Sequence, residues 1–244
     1  MNGGEGIDPV SVVAGAADAL PAGAGFKGAV DLIVLLSVLS LAPAILMLCT
    51  CFTRVVVVLG LLRQAIGAQA MPPTQVVVGL SILLTFAAMS PTLTRAWDAG
   101  IKPYMDGRME STEEAWQGAR QPLRDFMFAQ IDACGNWNTV YMLLERRGVD
   151  TSDPARLTRA DVDMATLVPA FVLSELKTAF LIGFRIFLPF VVVDLVVAGI
   201  LVSLGMFMVP PTMVSMPFKL LLFVLADGWT LVAGSLLAGV AAVA

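Results

Sequence analysis

Six charged residues stand within or at the edges of long apolar runs, and they are the side chains of this 244-residue sequence best placed to do chemistry: Arg54, Arg63, Arg185, Asp194, Lys219 and Asp227. A charge at the centre of a bilayer costs about 2.5–3.5 kcal/mol on insertion scales, so exposure of the whole set to lipid is disfavoured. Three uses remain open: a proton or ion pathway, pairing across subunit interfaces, or helices that sit partly outside the bilayer. Assembly interfaces are the favoured reading. If the last two apolar runs form a hairpin turning at Pro210-Pro211, Asp194 and Asp227 fall at similar depth. Two such carboxylates repel, so they need a proton or a donor from another helix or subunit. Arg185 precedes Asp194 by nine residues, about two and a half turns, and the two point to opposite sides of one helix.

Other chemistries are poorly provided for. The sequence has no histidine, which removes imidazole acid–base catalysis and His–metal ligation. Cys49 and Cys51 are two apart in an apolar stretch, so they do not face each other on a helix and read as small packing residues. Cys134 is alone in a polar segment, which offers no disulfide framework. No phosphate-binding loop, nucleophile elbow or metal-ligand cluster is present, so the expectation is a non-enzyme without cofactor or metal. A net charge of −4 argues against a nucleic-acid partner.

The elements that must carry the six charges are apolar helices. Hydrophobic residues make up 58% of the chain and charged ones 14%, with a mean hydropathy of +0.85. Soluble domains are about 45–50% apolar and about 25% charged, so the expected class is an all-α integral membrane protein with lipid as its solvent. Four apolar blocks stand out: Val30 to about Leu48, continuing less cleanly through Val55–Leu62; Val76–Met89; Ala179 to about Val209; and Phe218–Ala244. Pro72-Pro73 marks the start of the second and Ser90-Pro91 its stop. The third is longer than a bilayer needs and contains Pro189. The expected organisation is a flexible tail over 1–27, a first hairpin over 28–93, a polar helical subdomain over 94–167 and a second hairpin over 168–244. Met1–Gly25 has neither the basic start nor the compact apolar core of a signal peptide.

Thr94–Leu167 holds nine of the 15 basic residues and 12 of the 19 acidic ones, a local charge of −3. Ser111 with Glu114, and Thr158 with Asp161, are capping signals. Trp116, Leu123, Phe126 or Met127, and Ile131 recur at helical spacing, interrupted by Pro122. Arg54 and Arg63, without an acid between the first two blocks, place that connection in the cytoplasm and the polar region outside. An even number of blocks then returns both termini to the external side.

Several strings together resemble one family. They are Phe52-Thr53-Arg54-Val55, Leu62-Arg63-Gln64-Ala65, Pro72-Pro73-Thr74-Gln75 with Met89-Ser90-Pro91, Ser174-Glu175-Leu176-Lys177-Thr178-Ala179-Phe180, Ile186-Phe187-Leu188-Pro189-Phe190, Met206-Phe207-Met208-Val209-Pro210-Pro211, Pro217-Phe218-Lys219 and Asp227-Gly228-Trp229. In order and spacing they are similar to the FliP family over about Asp31–Leu237. The resemblance implies an export-gate subunit of flagellar type III secretion in the bacterial inner membrane and flagellar basal body. It implies a ring of five copies joined by FliR and FliQ, passing unfolded flagellar proteins as cargo, with energy from a separate ATPase and the proton-motive force. It implies a tapering helical assembly held largely above the membrane plane. The family's methionine-rich pore gasket maps onto Met206 and Met208, with Phe207 where another methionine is common.

The loop's chemistry suits that role, because methionine is soft and unbranched and an apolar constriction can seal by dewetting. Ordinary hairpin packing is the alternative for the same three residues. The rival functions are the gate subunit of a virulence injectisome and a small-solute or ion transporter, although no inverted repeat supports the latter.

Overall fold

The computed structural model describes residues 47–67, 72–109, 111–151 and 157–240, together with Leu36 and Ser40. The tail over 1–27 and most of the first apolar block lie outside the described residues. Backbone contacts separate Met1–Leu46 from Met47–Ala244, and the architecture below is that of the second unit.

Every regular element among the described residues is a helix. Helix α1 (Phe52–Ile66) stops at Gly67, whose φ of 82° is the left-handed conformation that glycine adopts without strain. Helix α2 (Thr74–Ala96) begins directly after Pro72-Pro73, as expected. It does not stop at Ser90-Pro91: it continues through Pro91, a π-helical turn (Trp97–Ile101) and the short α3 (Lys102–Met105), giving 32 residues of helix. A proline removes its own donor, yet apolar helices tolerate it where neighbours and hydroxyls re-satisfy the backbone. The carbonyl that Pro91 leaves without its helical donor is that of Ala87; the hydroxyls of Ser81, Thr85 and Thr94 donate instead to the carbonyls of Val77, Ser81 and Ser90.

Helix α4 (Thr112–Cys134) is capped by Ser111, whose Oγ accepts from the Glu114 N–H at 3.1 Å. It too runs through its proline, Pro122. Its buried face is Phe126, Met127, Phe128, Gln130 and Ile131, whereas Trp116, expected on that face, is exposed. Helix α5 (Trp137–Arg146) follows. Thr158 and Asp161 form a full capping box, but over a single 3₁₀ turn (Arg159–Asp161). The next long helix, α6 (Met164–Ser203), takes its own cap from Asp163, which accepts from the Thr166 N–H at 3.0 Å. Hydrogen bonds from Thr166 and then Arg147 hold the Asp163 carboxyl below its ordinary pKa, and bonds from Thr158 do the same for Asp161. Both caps therefore contribute stability above the ordinary carboxylate pKa and lose it as pH falls through the lowered values.

The fourth apolar block is broken rather than continuous. It forms α7 (Pro211–Leu225) and α8 (Gly228–Ala238), bent by 64°. The bend sits at Asp227, the one described non-glycine residue with positive φ, at 49°. Among the described residues two helices are long and apolar enough to cross a bilayer, Thr74–Met105 and Met164–Ser203, or three if the bent pair counts as one span. Of the four apolar segments expected, the described residues therefore bear out two, with the fourth bent, and most of the first lies outside them.

Two cores share α6. Its N-terminal half (Leu167, Ala170, Phe171) packs with Met89 of α2, Phe126, Met127, Phe128 and Ile131 of α4, and Val140 and Leu144 of α5. Further along the same helix, Ala179 and Phe190 pack with α1, α7 and α8 through Val58, Leu62, Phe223 and Leu236. The polar segment is thus anchored in a core that it shares with the apolar helices. The boundaries expected at 93/94 and 167/168 fall inside α2 and α6. Helix α4 approaches the π-helical turn so closely that a Cβ at Gly100 would overlap the Ala115 carbonyl oxygen, and one at Gly118 the Ala99 carbonyl oxygen.

Candidate functional site

Two ion pairs are built into the apolar part of the unit. Arg54, on the first turn of α1, is fully buried against Glu175 of α6, with Nη2 2.7 Å from Oε1. Its Nη1 donates to the carbonyl of Gly239, the C-cap of α8, and Gln130 Nε2 of α4 donates to the same oxygen at 2.9 Å. Arg54 Nη2 also donates to Cys134 Sγ of α4 at 3.5 Å, so four helices meet on one guanidinium. The planar fork of arginine suits such multiple donation where lysine would not.

The second pair joins Lys219 of α7 to Asp194 of α6, Nζ to Oδ2 at 2.6 Å. Ser215, one turn before Lys219, also donates to Asp194. Lys219 reaches further, donating to the Ala65 carbonyl at the end of α1 at 3.1 Å. Both buried cations thus sit at helix C-termini, Arg54 at that of α8 and Lys219 at that of α1. Unsatisfied carbonyls and the negative end of the helix dipole favour a cation there.

Arg54, Asp194 and Lys219, expected at assembly interfaces, thus each have a charge partner inside the same chain. These contacts correct the depth expected for the two acids. Asp194 is level with Ser215 and Lys219, so Asp227 lies about two helical turns further along. The charge argument for orientation loses half its basis as well, since Arg54 is neutralised inside the protein rather than standing in a loop. Arg63 is half-buried and donates to Thr74 Oγ1 at 3.0 Å, tying α1 to the start of α2. Arg185 and Asp227 are exposed, and neither has a side-chain hydrogen bond or ion pair among the described residues.

Glu175 and Gln130 complete the first network; neither stands among the six charges of the apolar runs, and Glu175 enters the sequence reading only within one family string. The signal was present: Ala170, Phe171, Ser174, Glu175 and Ala179 recur at helical spacing and all are buried. A second polar join lies beside it, where Asn136 donates to Ser174 Oγ at 2.8 Å and accepts from Lys177 Nζ at 2.7 Å.

The hairpin tip between α6 and α7 is built by a different device. Gly205, with φ of 74°, ends α6; its N–H donates to Val202 O at 3.0 Å, and the Met206 N–H to Leu201 O at 2.9 Å. This pair of bonds is the Schellman arrangement, which turns the chain out of the helix. Pro210 then caps α7 and Pro211 occupies its first turn, where no donor is needed. Between these two stops Met206, Phe207 and Met208 are thrown outward, Phe207 76% and Met208 96% exposed. The described residues leave Phe207 and Met208 largely uncovered and cover about half of Met206. Cys49 and Cys51 are buried free thiols, and no group of three His, Cys, Asp or Glu side chains is placed to hold a metal among the described residues.

One expected result follows for the second pair. Lys219→Met retains the apolar stem but leaves Asp194 facing Ser215 alone, and Asp194→Ala leaves the Lys219 ammonium buried with only a carbonyl. The loss from Asp194→Ala is expected to be the larger, about 3 kcal/mol or more, because an ammonium cannot be left charged in apolar surroundings. Thermal stability of the detergent-purified chain checks the order; equal or reversed losses contradict it.

Among the described residues every element is a helix, and the long apolar helices, the ion pairs between them and the exposed apolar hairpin tip fit a membrane-associated helical protein. Residues 35–236 match the FliP family. The chain is 48% identical over 218 residues to the flagellar biosynthetic protein FliP of Caulobacter vibrioides, covering 89% of this chain and 79% of that one. It is 45% identical over 208 residues to the protein of the same name from Bacillus subtilis, covering 85% and 90%. The Aquifex aeolicus FliP is 42% identical over 207 residues, covering 85% and 84%. The chain belongs to the FliP family and is a flagellar biosynthetic protein.

Proposed function

We propose that this chain is a subunit of the export gate of the flagellar type III secretion apparatus, forming a ring of five copies with FliR and FliQ in the bacterial inner membrane. The ring passes unfolded flagellar proteins. The observation that supports this reading best is the hairpin tip, where Phe207 and Met208 stand out of the chain largely uncovered beside a half-exposed Met206. An isolated soluble turn has no reason to expose three large apolar side chains, whereas a ring brings five such tips to one level. The length of α6 supports the same reading. Its 40 residues extend about 60 Å at about 1.5 Å per residue, twice a hydrocarbon core of about 30 Å, so part of the helix stands outside the bilayer. The names of the relatives favour a flagellar system over an injectisome.

Native mass spectrometry of the detergent-purified chain tests this. Species of several copies are expected, growing in mass when FliR and FliQ are co-expressed. A chain that stays monomeric under every condition overturns the proposal.

A further inference from the structure

Arg185 and Asp227 are the two charges of the α6–α7–α8 region that the chain leaves without a partner among the described residues. Their depth can be read from the hairpin. Asp194 is level with Ser215 and Lys219, and Phe190 meets Phe223 with ring centroids 6.5 Å apart. Antiparallel continuation brings Arg185 level with Asp227, since one lies five residues before Phe190 and the other four after Phe223. They cannot meet within one chain. Asp194 faces α7, and nine residues turn a helix by about 180°, so Arg185 projects from the far side of α6.

The surroundings of each are apolar and uncovered. Arg185 interrupts a stripe of exposed Leu181, Phe184, Leu188, Val192 and Leu195 on α6. Asp227 sits at the bend with exposed Val224, Leu225, Trp229 and Leu231 about it. Opposite charges at one depth, on two different faces, each set in an uncovered apolar surface, fit a head-to-tail contact between identical copies. Such a heterologous contact closes into a ring when its rotation divides a full turn.

We propose that Arg185 of one copy pairs with Asp227 of the next, so that this ion pair sets the register between neighbouring copies in the ring. The inference rests on the ring reading of the proposed function. It assigns the occupant of the α6 stripe as a second copy of this chain rather than lipid, because a guanidinium facing hydrocarbon is costly while one facing a carboxylate in the same plane is satisfied.

The test uses full-length chain in membranes, with FliR and FliQ present. Arg185→Asp and Asp227→Arg each place like charges across the contact and are expected to reduce the oligomer fraction on native gels by about tenfold or more. The double reversal restores the opposite pairing and is expected to recover the oligomer. A merely structural role for either residue would make the double variant worse than both single ones, which overturns the pair. Two copies of different size, one carrying Arg185→Cys and the other Asp227→Cys, are expected to crosslink under oxidation. Intact rings without that crosslink overturn the pair and leave the ring standing; a wild-type chain that never forms oligomers overturns both.

Discussion

Replacing Glu175 with alanine is expected to destabilise the chain by about 3–5 kcal/mol, because it strands the fully buried Arg54 guanidinium without its counter-charge. A loss of that size is a large part of the stability of a single domain. It should appear as a fall in steady-state membrane level and in the thermal midpoint of the purified chain. Arg54→Ala is expected to be similarly severe, since it also removes the donor that covers the α8 C-terminus at Gly239. The double replacement Arg54→Met with Glu175→Leu distinguishes pairing from packing. Removing both charges together is expected to recover most of the loss, because the Gly239 carbonyl loses one of its two donors and keeps Gln130. A double variant as unstable as the sum of the single ones would mean that the two residues act independently.

The second large effect is at the hairpin tip. Shortening Met206, Phe207 and Met208 to alanine removes side-chain volume at a point where no core depends on it, as their exposure shows. No charge and no backbone hydrogen bond is lost. The ring is therefore expected to assemble normally while the closed pore leaks small ions, because the apolar plug that excludes water is gone. Membrane conductance, or growth slowed in proportion to expression, reads this directly. Normal assembly with a sealed membrane would mean that the seal lies elsewhere and the loop is only a turn. Phe207 alone is a finer probe: a stiff ring among soft methionines should yield less readily to passing side chains, so Phe207→Met is expected to keep the seal.

Much of this architecture was legible in the sequence because local rules dominate in apolar helices. Pro72-Pro73 started α2, Ser111 capped α4 and the Pro210-Pro211 turn separated α6 from α7, each through a donor that the helix start does not need or a side chain that satisfies one. Rules of the same kind failed at Pro91 and Pro122. A proline removes one hydrogen bond, and an apolar helix held by its neighbours continues past that loss. The charges were harder to place for a different reason. Arg54 and Glu175 are 121 residues apart, and no local pattern encodes such a contact. Glu175 fell between the polar segment and an apolar block taken to begin at Ala179, so its place on the buried stripe of α6 was hidden. Lys219 and Asp194 were each singled out, but only the antiparallel hairpin shows that they belong to each other rather than to neighbouring copies. Arg185 and Asp227 were left by the fold with nothing to meet.

In the proposed gate the exposed tips of five copies converge to close one pore. Electron cryo-microscopy of the chain co-purified with FliR and FliQ measures this most directly. The expected map shows a ring of five copies of this chain, with Met206, Phe207 and Met208 of every copy at one level and forming the narrowest point of a central channel. A map in which the α6–α7 tips point away from any common axis, or face lipid, would contradict the account.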